Sequence, residues 1–290
     1  NGIPQGSVLM DFVAEMVLGC VDLKLSERIQ EDNIQDYEIL RYRDDYRIFS
    51  SNPQTAEHIT KLLTEILSVP GMRLNAQKTI ISSNIIKNSI KSDMLYWISA
   101  KKGAKGIQEH LLTIHNLSEL HPNSGSLSKA LSKFYNRIKA IKETNQNIVV
   151  FVSILVDIMY KSPQTYPIAS AILSKLLSLI PETDKKNEIL DVVSQRFEKI
   201  PNTGHLKIWL QRLTIKLDRQ KQYSERLCEK VNNQELPIWN SDWLEDGLKT
   251  LIENTAIIDE KEIAEIDTVI AKEEVELFKT EYDYAEQRSE

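Results

Sequence analysis

The chain has 290 residues, with 36 Lys and Arg against 42 Asp and Glu, a formal net charge of −6. That length suits about two domains at roughly 150 residues each, and 41% hydrophobic against 27% charged side chains excludes a wholly disordered chain. No apolar run approaches the roughly 20 residues that span a bilayer; the best, Ile148 to Val156, stops at Asp157. Two cysteines, Cys20 and Cys228, exclude a disulfide framework or a cysteine-based zinc site, and their scarcity points to a reducing, cytoplasmic setting.

Nothing at the start reads as a signal peptide. Asn1-Gly2-Ile3-Pro4-Gln5-Gly6-Ser7 reads as the middle of a domain, and native residues upstream of Asn1 are expected. Val8 to about position 30 carries a broad apolar stripe at helical spacing, with Ser7 as N-cap. Tyr37–Tyr42 and Tyr46–Phe49 change to strand character around Arg43-Asp44-Asp45, a β-hairpin pattern. Pro53 opens a second helix to about Val69, stopped by Pro70-Gly71. Met72–Asn75, Thr79–Ser82 and Met94–Ile98 are short strand candidates, and the basic linker Lys101–Gly106 is the expected domain boundary. From residue 107 only helices are predicted: 107–119, 126–143, 146–161, 166–180, 184–199, 204–217, 219–233, 241–254 and 259–285, punctuated by prolines and without a fixed repeat.

The net charge hides a pattern. Residues 1–100 carry 10 basic and 13 acidic side chains (net −3), residues 101–180 carry 10 and 4 (net +6), and residues 181–290 carry 16 and 25 (net −9). A basic middle inside an acidic average fits a nucleic-acid groove or a solvated Lys-rich face. Lys129, Lys133 and Arg137 fall at i, i+4 and i+8 on one predicted helix, with Lys139 and Lys142 beyond. Phe134 and Tyr135, between them, read as core rather than as base-stacking platforms.

Chemistry concentrates at Asp44-Asp45. Two adjacent carboxylates repel, and a divalent cation relieves that repulsion. Mg²⁺ takes one or two carboxylates together with substrate phosphates and water, the arrangement of two-metal phosphoryl transfer. An exposed Asp-Asp turn is also common, so the neighbouring blocks decide: Gly2–Ser7 before a long helix, Tyr42-Arg43-Asp44-Asp45 between strands, and Leu74-Asn75 with Lys78-Thr79 after the second helix.

In these three blocks, in this order, the sequence resembles reverse transcriptases over residues 1–100. Gly2–Ser7 matches G-x-P-Q-G-S, Tyr42–Asp45 matches Y-x-D-D, and Leu74–Thr79 matches L-N-x-x-K-T. The resemblance implies an α+β, mostly α fold: a partial right-hand polymerase palm (1–100) whose catalytic hairpin packs on helices, then a helical, basic, thumb-like region (101–180), then an all-α C-terminal domain with an acidic tail (181–290). It implies that Asp44 and Asp45 ligate two Mg²⁺ ions, for which Mn²⁺ can substitute. Pro4, Gln5, Gly6, Ser7 and Tyr42 line the nucleotide and primer site, and Lys78 neutralises or protonates the leaving pyrophosphate. Asn75 orders its turn. Arg43, with Arg41 and Arg47 expected on the same side of the hairpin, either contacts phosphate or balances Asp36, Glu38 and the Asp pair. The family's third metal-binding Asp is expected upstream of Asn1, because Asp11 and Asp22 sit in the helix; residues 1–290 alone are therefore expected to be inactive.

A palm followed by a long helical extension most resembles bacterial abortive-infection and defence-associated reverse transcriptases. That implies an RNA template, in some cases a dedicated non-coding RNA, a DNA product, deoxynucleoside triphosphates, and an oligomer or protein partner through the helical domain. Protein priming in this class would need an exposed hydroxyl, for which Tyr282 and Tyr284 in the acidic tail are the weak candidates. A retron or group II intron enzyme is the first alternative. Against it stand the long helical half and a C-terminus where, after residue 240, acidic side chains outnumber basic ones about three to one. A non-catalytic nucleic-acid-binding scaffold is the second alternative.

Overall fold

The structure is a computed structural model that describes residues 8–76, 78–85, 88, 90–100 and 106–277. Gly2–Ser7, Tyr282 and Tyr284 lie outside the described residues. Two compact units divide the chain, Asn1–Ile85 and Ile86–Glu290.

In the N-terminal unit, α1 (Val8–Glu31) carries its apolar residues around most of its circumference, and only Val21, Leu25 and Ile29 near its C-terminal end are buried. Two strands follow, β1 (Tyr37–Tyr42) and β2 (Asp45–Ser50). They pair antiparallel from Tyr37↔Ser50 to Tyr42↔Asp45. Asn52 then caps α2 (Pro53–Ser68), its side-chain oxygen accepting from Gln54 N at 3.0 Å, and Pro53 occupies the first turn, where no backbone donor is needed. The helix stops where Gly71 adopts a φ of +79°, a left-handed conformation suited to glycine. Ile59, Leu62, Leu63, Ile66 and Leu67 of α2 pack on Val21, Leu25 and Ile29, with Ile39, Tyr46 and Ile48 of the hairpin against them. The expected packing of a hairpin on helices is present. Met72–Asn75 and Thr79–Ser82 form no strands; the sheet has two strands among the described residues.

The second unit is helical. It contains α3 (Ser92–Ala100), α4 (Ile107–Leu120), α5 (Gly125–Ile138), α6 (Ile148–Lys161), α7 (Tyr166–Ser178), α8 (Thr183–Glu198), α9 (Gly204–Thr214), α10 (Arg226–Asn232), α11 (Asp246–Asn254), α12 (Glu260–Glu265) and α13 (Lys272–Glu276). The mostly α, α+β class expected from the sequence is the class observed. Short polar side chains start several helices: Ser124 Oγ accepts from Leu127 N, and Asn147 Oδ1 from Val149 N. The core centres on α7, which is buried on nearly every side from Ile168 to Leu177. Ala169, Ser170, Ala171 and Ser174 keep it slim enough for α5, α6, α9 and α13 to reach it.

Two sequence expectations need correction here. Met94–Ile98 is helical rather than extended, and it belongs to the helical unit: Trp97 is buried in that core, and Asp93 accepts from Ser126 N at 3.3 Å. The unit therefore begins before the expected linker at 101–106. Over its described residues, 259–277, the helix expected over 259–285 is instead two short helices. Between them the backbone of Ile270 is committed elsewhere, its N–H donating to Ser174 Oγ at 2.9 Å and its carbonyl accepting from Tyr135 at 2.9 Å. Those tertiary bonds replace the helical ladder at that point. No helix among the described residues is long and apolar enough to cross a membrane.

Candidate functional site

The hairpin turn is the two-residue link Arg43-Asp44 between Tyr42 and Asp45. Arg43 has a φ of +54°, as the first position of a primed hairpin turn requires. Such a φ is uncommon for an arginine, so the turn needs support. Arg41 supplies it. Its Nη1 donates to the carbonyl of Arg43 at 2.9 Å, and the same guanidinium reaches Asp22 (Nε, 2.7 Å) and Glu15 (Nη1, 2.8 Å) on α1. The phenol of Tyr46 donates to the other oxygen of Asp22 at 2.7 Å. Arg41 is largely covered, and its hydrogen bond to Glu15, set against burial, raises its pKa further. Burial, then the bond to Asp22, pushes the Tyr46 phenol above its ordinary value. Neither group changes charge near neutral pH.

At the hairpin's other end, Ser50 Oγ donates to the carbonyl of Asp36 at 2.8 Å, and Ser51 Oγ donates to the Asp36 carboxylate. The hairpin is thus tied at its base and behind its tip.

The register sets the faces. Arg41 lies opposite Tyr46, and both reach Asp22, so Ile39, Arg41, Tyr46 and Ile48 face α1. Tyr42, Asp45 and Arg47 lie on the other face. Arg41 and Arg47 therefore do not share a side, contrary to the sequence expectation, because the turn reverses the chain between them. Arg41 balances Glu15 and Asp22 rather than Asp36, Glu38 or the Asp pair.

Tyr42, Arg43, Asp44 and Asp45 come together at the tip, and all four are exposed. No ion pair among the described residues engages Asp44 or Asp45, and no third His, Cys or carboxylate comes within ligand distance of them. Two exposed carboxylates, without an ion pair among the described residues, supply hard oxygen donors of the kind Mg²⁺ takes alongside phosphate oxygens and water. Lys78 is exposed in a turn built on Asn75, whose carbonyl accepts from Lys78 N (2.9 Å), Thr79 N (3.0 Å) and Thr79 Oγ1 (3.0 Å). Asn75 thus orders its turn.

On α5 in the helical unit, Lys133 and Arg137 are exposed and Lys129 is half-buried, while Phe134 and Tyr135 are core. The basic row extends about 12 Å along one helix face.

The sequence reading missed the anchoring role of Glu15 and Asp22. Their signal was spacing: seven residues apart on one helix places both carboxylates on one face, matched by an arginine two positions before the Asp pair.

No protein-family model matches the chain, and no curated protein matches it.

Proposed function

We propose that the chain carries the catalytic hairpin and helical extension of an RNA-directed DNA polymerase of a bacterial anti-phage defence system. The observation that carries this reading is the pair Asp44-Asp45, exposed and without an ion pair among the described residues, at the tip of a clamped hairpin within sequence blocks that resemble those of reverse transcriptases.

In this reading Asp44 and Asp45 hold Mg²⁺. The bound ion supplies charge neutralisation of the triphosphate and a lowered pKa for the attacking primer hydroxyl. The chain's own contribution is positional. Arg41 fixes the carbonyl of Arg43 and thereby the backbone from which Asp44 projects, an arrangement that avoids reorganisation during reaction. Tyr42, across from Asp45, offers an aromatic surface to the primer end. Pro4, Gln5, Gly6 and Ser7 approach the nucleotide, and Lys78 offers a cation to the leaving phosphates. Lys129, Lys133 and Arg137 track the template–primer backbone, where each phosphate neutralised steepens the salt dependence of binding.

The test uses the protein expressed in its native context and purified with its associated RNA. Mg²⁺ and labelled deoxynucleotides are supplied singly and together, and the product is treated with DNase and with protease. A DNase-sensitive product is expected, and a protease-sensitive shift of that product would add protein priming. Tight RNA binding with no product under any nucleotide mixture would replace the proposal with the scaffold reading.

A further inference from the structure

Away from the hairpin, α4 and α6 face each other along their lengths and share a polar cluster built from two i, i+4 pairs: His115 and Glu119 on α4, Asp157 and Lys161 on α6. His115 Nε2 lies 2.6 Å from Asp157 Oδ2 and 3.6 Å from Glu119 Oε1. Lys161 Nζ donates to Asp157 Oδ2 at 2.8 Å and also to Glu119. All four side chains are partly accessible, 28% for His115, 41% for Glu119, 37% for Asp157 and 33% for Lys161. An ion from solvent can therefore reach them.

Two features set this cluster apart from an ordinary surface ion pair. First, two carboxylates from different helices share one ammonium, and an imidazole nitrogen points into the same space. Second, the donor spacing is that of a coordination shell. One nitrogen and two carboxylate oxygens lie within 4.8 Å of one another. Around a tetrahedral Zn²⁺ with bonds near 2.0–2.2 Å, adjacent ligand atoms sit about 3.3–3.6 Å apart. The His115–Glu119 separation already has that value. The His115–Asp157 separation must open by roughly 0.8 Å, within the reach of small side-chain rotations.

We propose that His115, Glu119 and Asp157 form a Zn²⁺ site that staples α4 to α6, and that Lys161 is the resident cation the metal displaces. The proton between Nε2 and Asp157 leaves for solvent or moves to Nδ1, the freed Nε2 then binds the metal, the carboxylates bind through one oxygen each, and water completes the shell. The Lys161 ammonium swings to solvent with its proton, so the exchange involves no redox step. A site of one His and two carboxylates suits Zn²⁺ better than Mg²⁺ or Ca²⁺, which seek all-oxygen shells. It is also independent of the polymerase reading.

The experiment titrates the full chain, first freed of metal by chelation, with Zn²⁺ alone in competition with a chromophoric chelator, and follows thermal unfolding in parallel. One high-affinity equivalent and a raised melting temperature are expected. His115→Ala should weaken binding at least about tenfold. Lys161→Met should tighten it by roughly tenfold, because it removes a competing charge from the site; a cluster that serves only as an ion-pair network would gain nothing from that change. Should His115→Ala fold poorly by circular dichroism, His115→Gln keeps a donor toward Asp157 while losing the ligand. The proposal is overturned if Zn²⁺ binds no tighter than to any exposed histidine, if the His115 variants bind as the wild type does, or if Lys161→Met weakens binding.

Discussion

The two units use the same residue types to opposite ends. Among the described residues, thirty-six buried hydrophobic side chains form one continuous core in the helical unit, whereas the N-terminal unit has eight. The N-terminal unit leaves much of α1 uncovered: Val8, Leu9, Phe12, Met16 and Leu23 are each more than half exposed. At about 1.5–3 kcal/mol for each large side chain buried, the helical unit is held by its interior, while the N-terminal unit leans on a small core and on directed polar contacts. The Arg41–Asp22–Glu15–Tyr46 clamp is the clearest of these. A site that must hold two like charges at an exposed tip is fixed by hydrogen bonds behind it, not by burial.

The largest effects should come from breaking the two cores separately. Phe134 is fully buried, and Phe134→Ala should cost the helical unit about 3–5 kcal/mol. Leu63→Ala in α2, where Leu63 is 1% exposed, should cost the N-terminal unit about 2–5 kcal/mol. Hydrogen exchange resolved by segment distinguishes them: each variant should lose protection in its own unit and retain it in the other. Loss of protection across both units from either change would erase the comparison.

Arg41→Met comes next. It should cost the N-terminal unit about 1–2 kcal/mol in chemical unfolding, because Asp22 and the Arg43 carbonyl lose a partner in a partly covered place. If the hairpin reading is right, nucleotide incorporation should fall by roughly tenfold to a hundredfold, with the nucleotide KM little changed, since the loss is one of positioning.

Smaller is the pH response of the helical unit. Burial, and then the nearby charge of Arg137, holds His110 below the ordinary histidine range; burial does the same to His205. His205 Nε2 also accepts from Trp209 Nε1 at 3.0 Å, a bond the protonated ring cannot accept. The unfolded chain takes up protons at these rings below about pH 6.5 and the fold resists. Their contribution is therefore complete above that value and is lost as pH falls through it. Urea midpoints measured from about pH 7.5 to about pH 5 should decline, and His110→Phe should shallow the decline.

The smallest perturbation is chemical labelling. Cys20 is exposed and Cys228 is buried, and burial pushes the Cys228 thiol up to about 12. Iodoacetamide near pH 8 should label Cys20 and spare Cys228 in the folded chain, as read by peptide mass spectrometry.

What the sequence revealed depended on whether a residue's partner was local. The hairpin was legible because Tyr37–Tyr42 and Asp45–Ser50 are neighbours in sequence and in space. The helices from 107 onward were legible from apolar period and from the prolines between them. Met94–Ile98 was misread because a short apolar run has no period long enough to decide, and its fate rests on Trp97 finding a distant core. The break at Ile270 was invisible because it depends on Ser174 and Tyr135, far away in sequence. At the site, Asp44, Asp45 and Tyr42 announced themselves by adjacency. Glu15 and Asp22 did not, because on a helix an ion-paired carboxylate and a solvated one look alike until a partner strand is placed beside them.

The most direct measurement compares deoxynucleotide incorporation by the natively expressed protein and by its Asp44→Asn variant, purified in parallel with their RNA and matched by circular dichroism. The account predicts Mg²⁺-dependent DNA synthesis by the wild type and a loss of at least about a thousandfold in the variant, since a neutral amide cannot supply the carboxylate charge the metal needs. Incorporation by Asp44→Asn at the wild-type rate would contradict it.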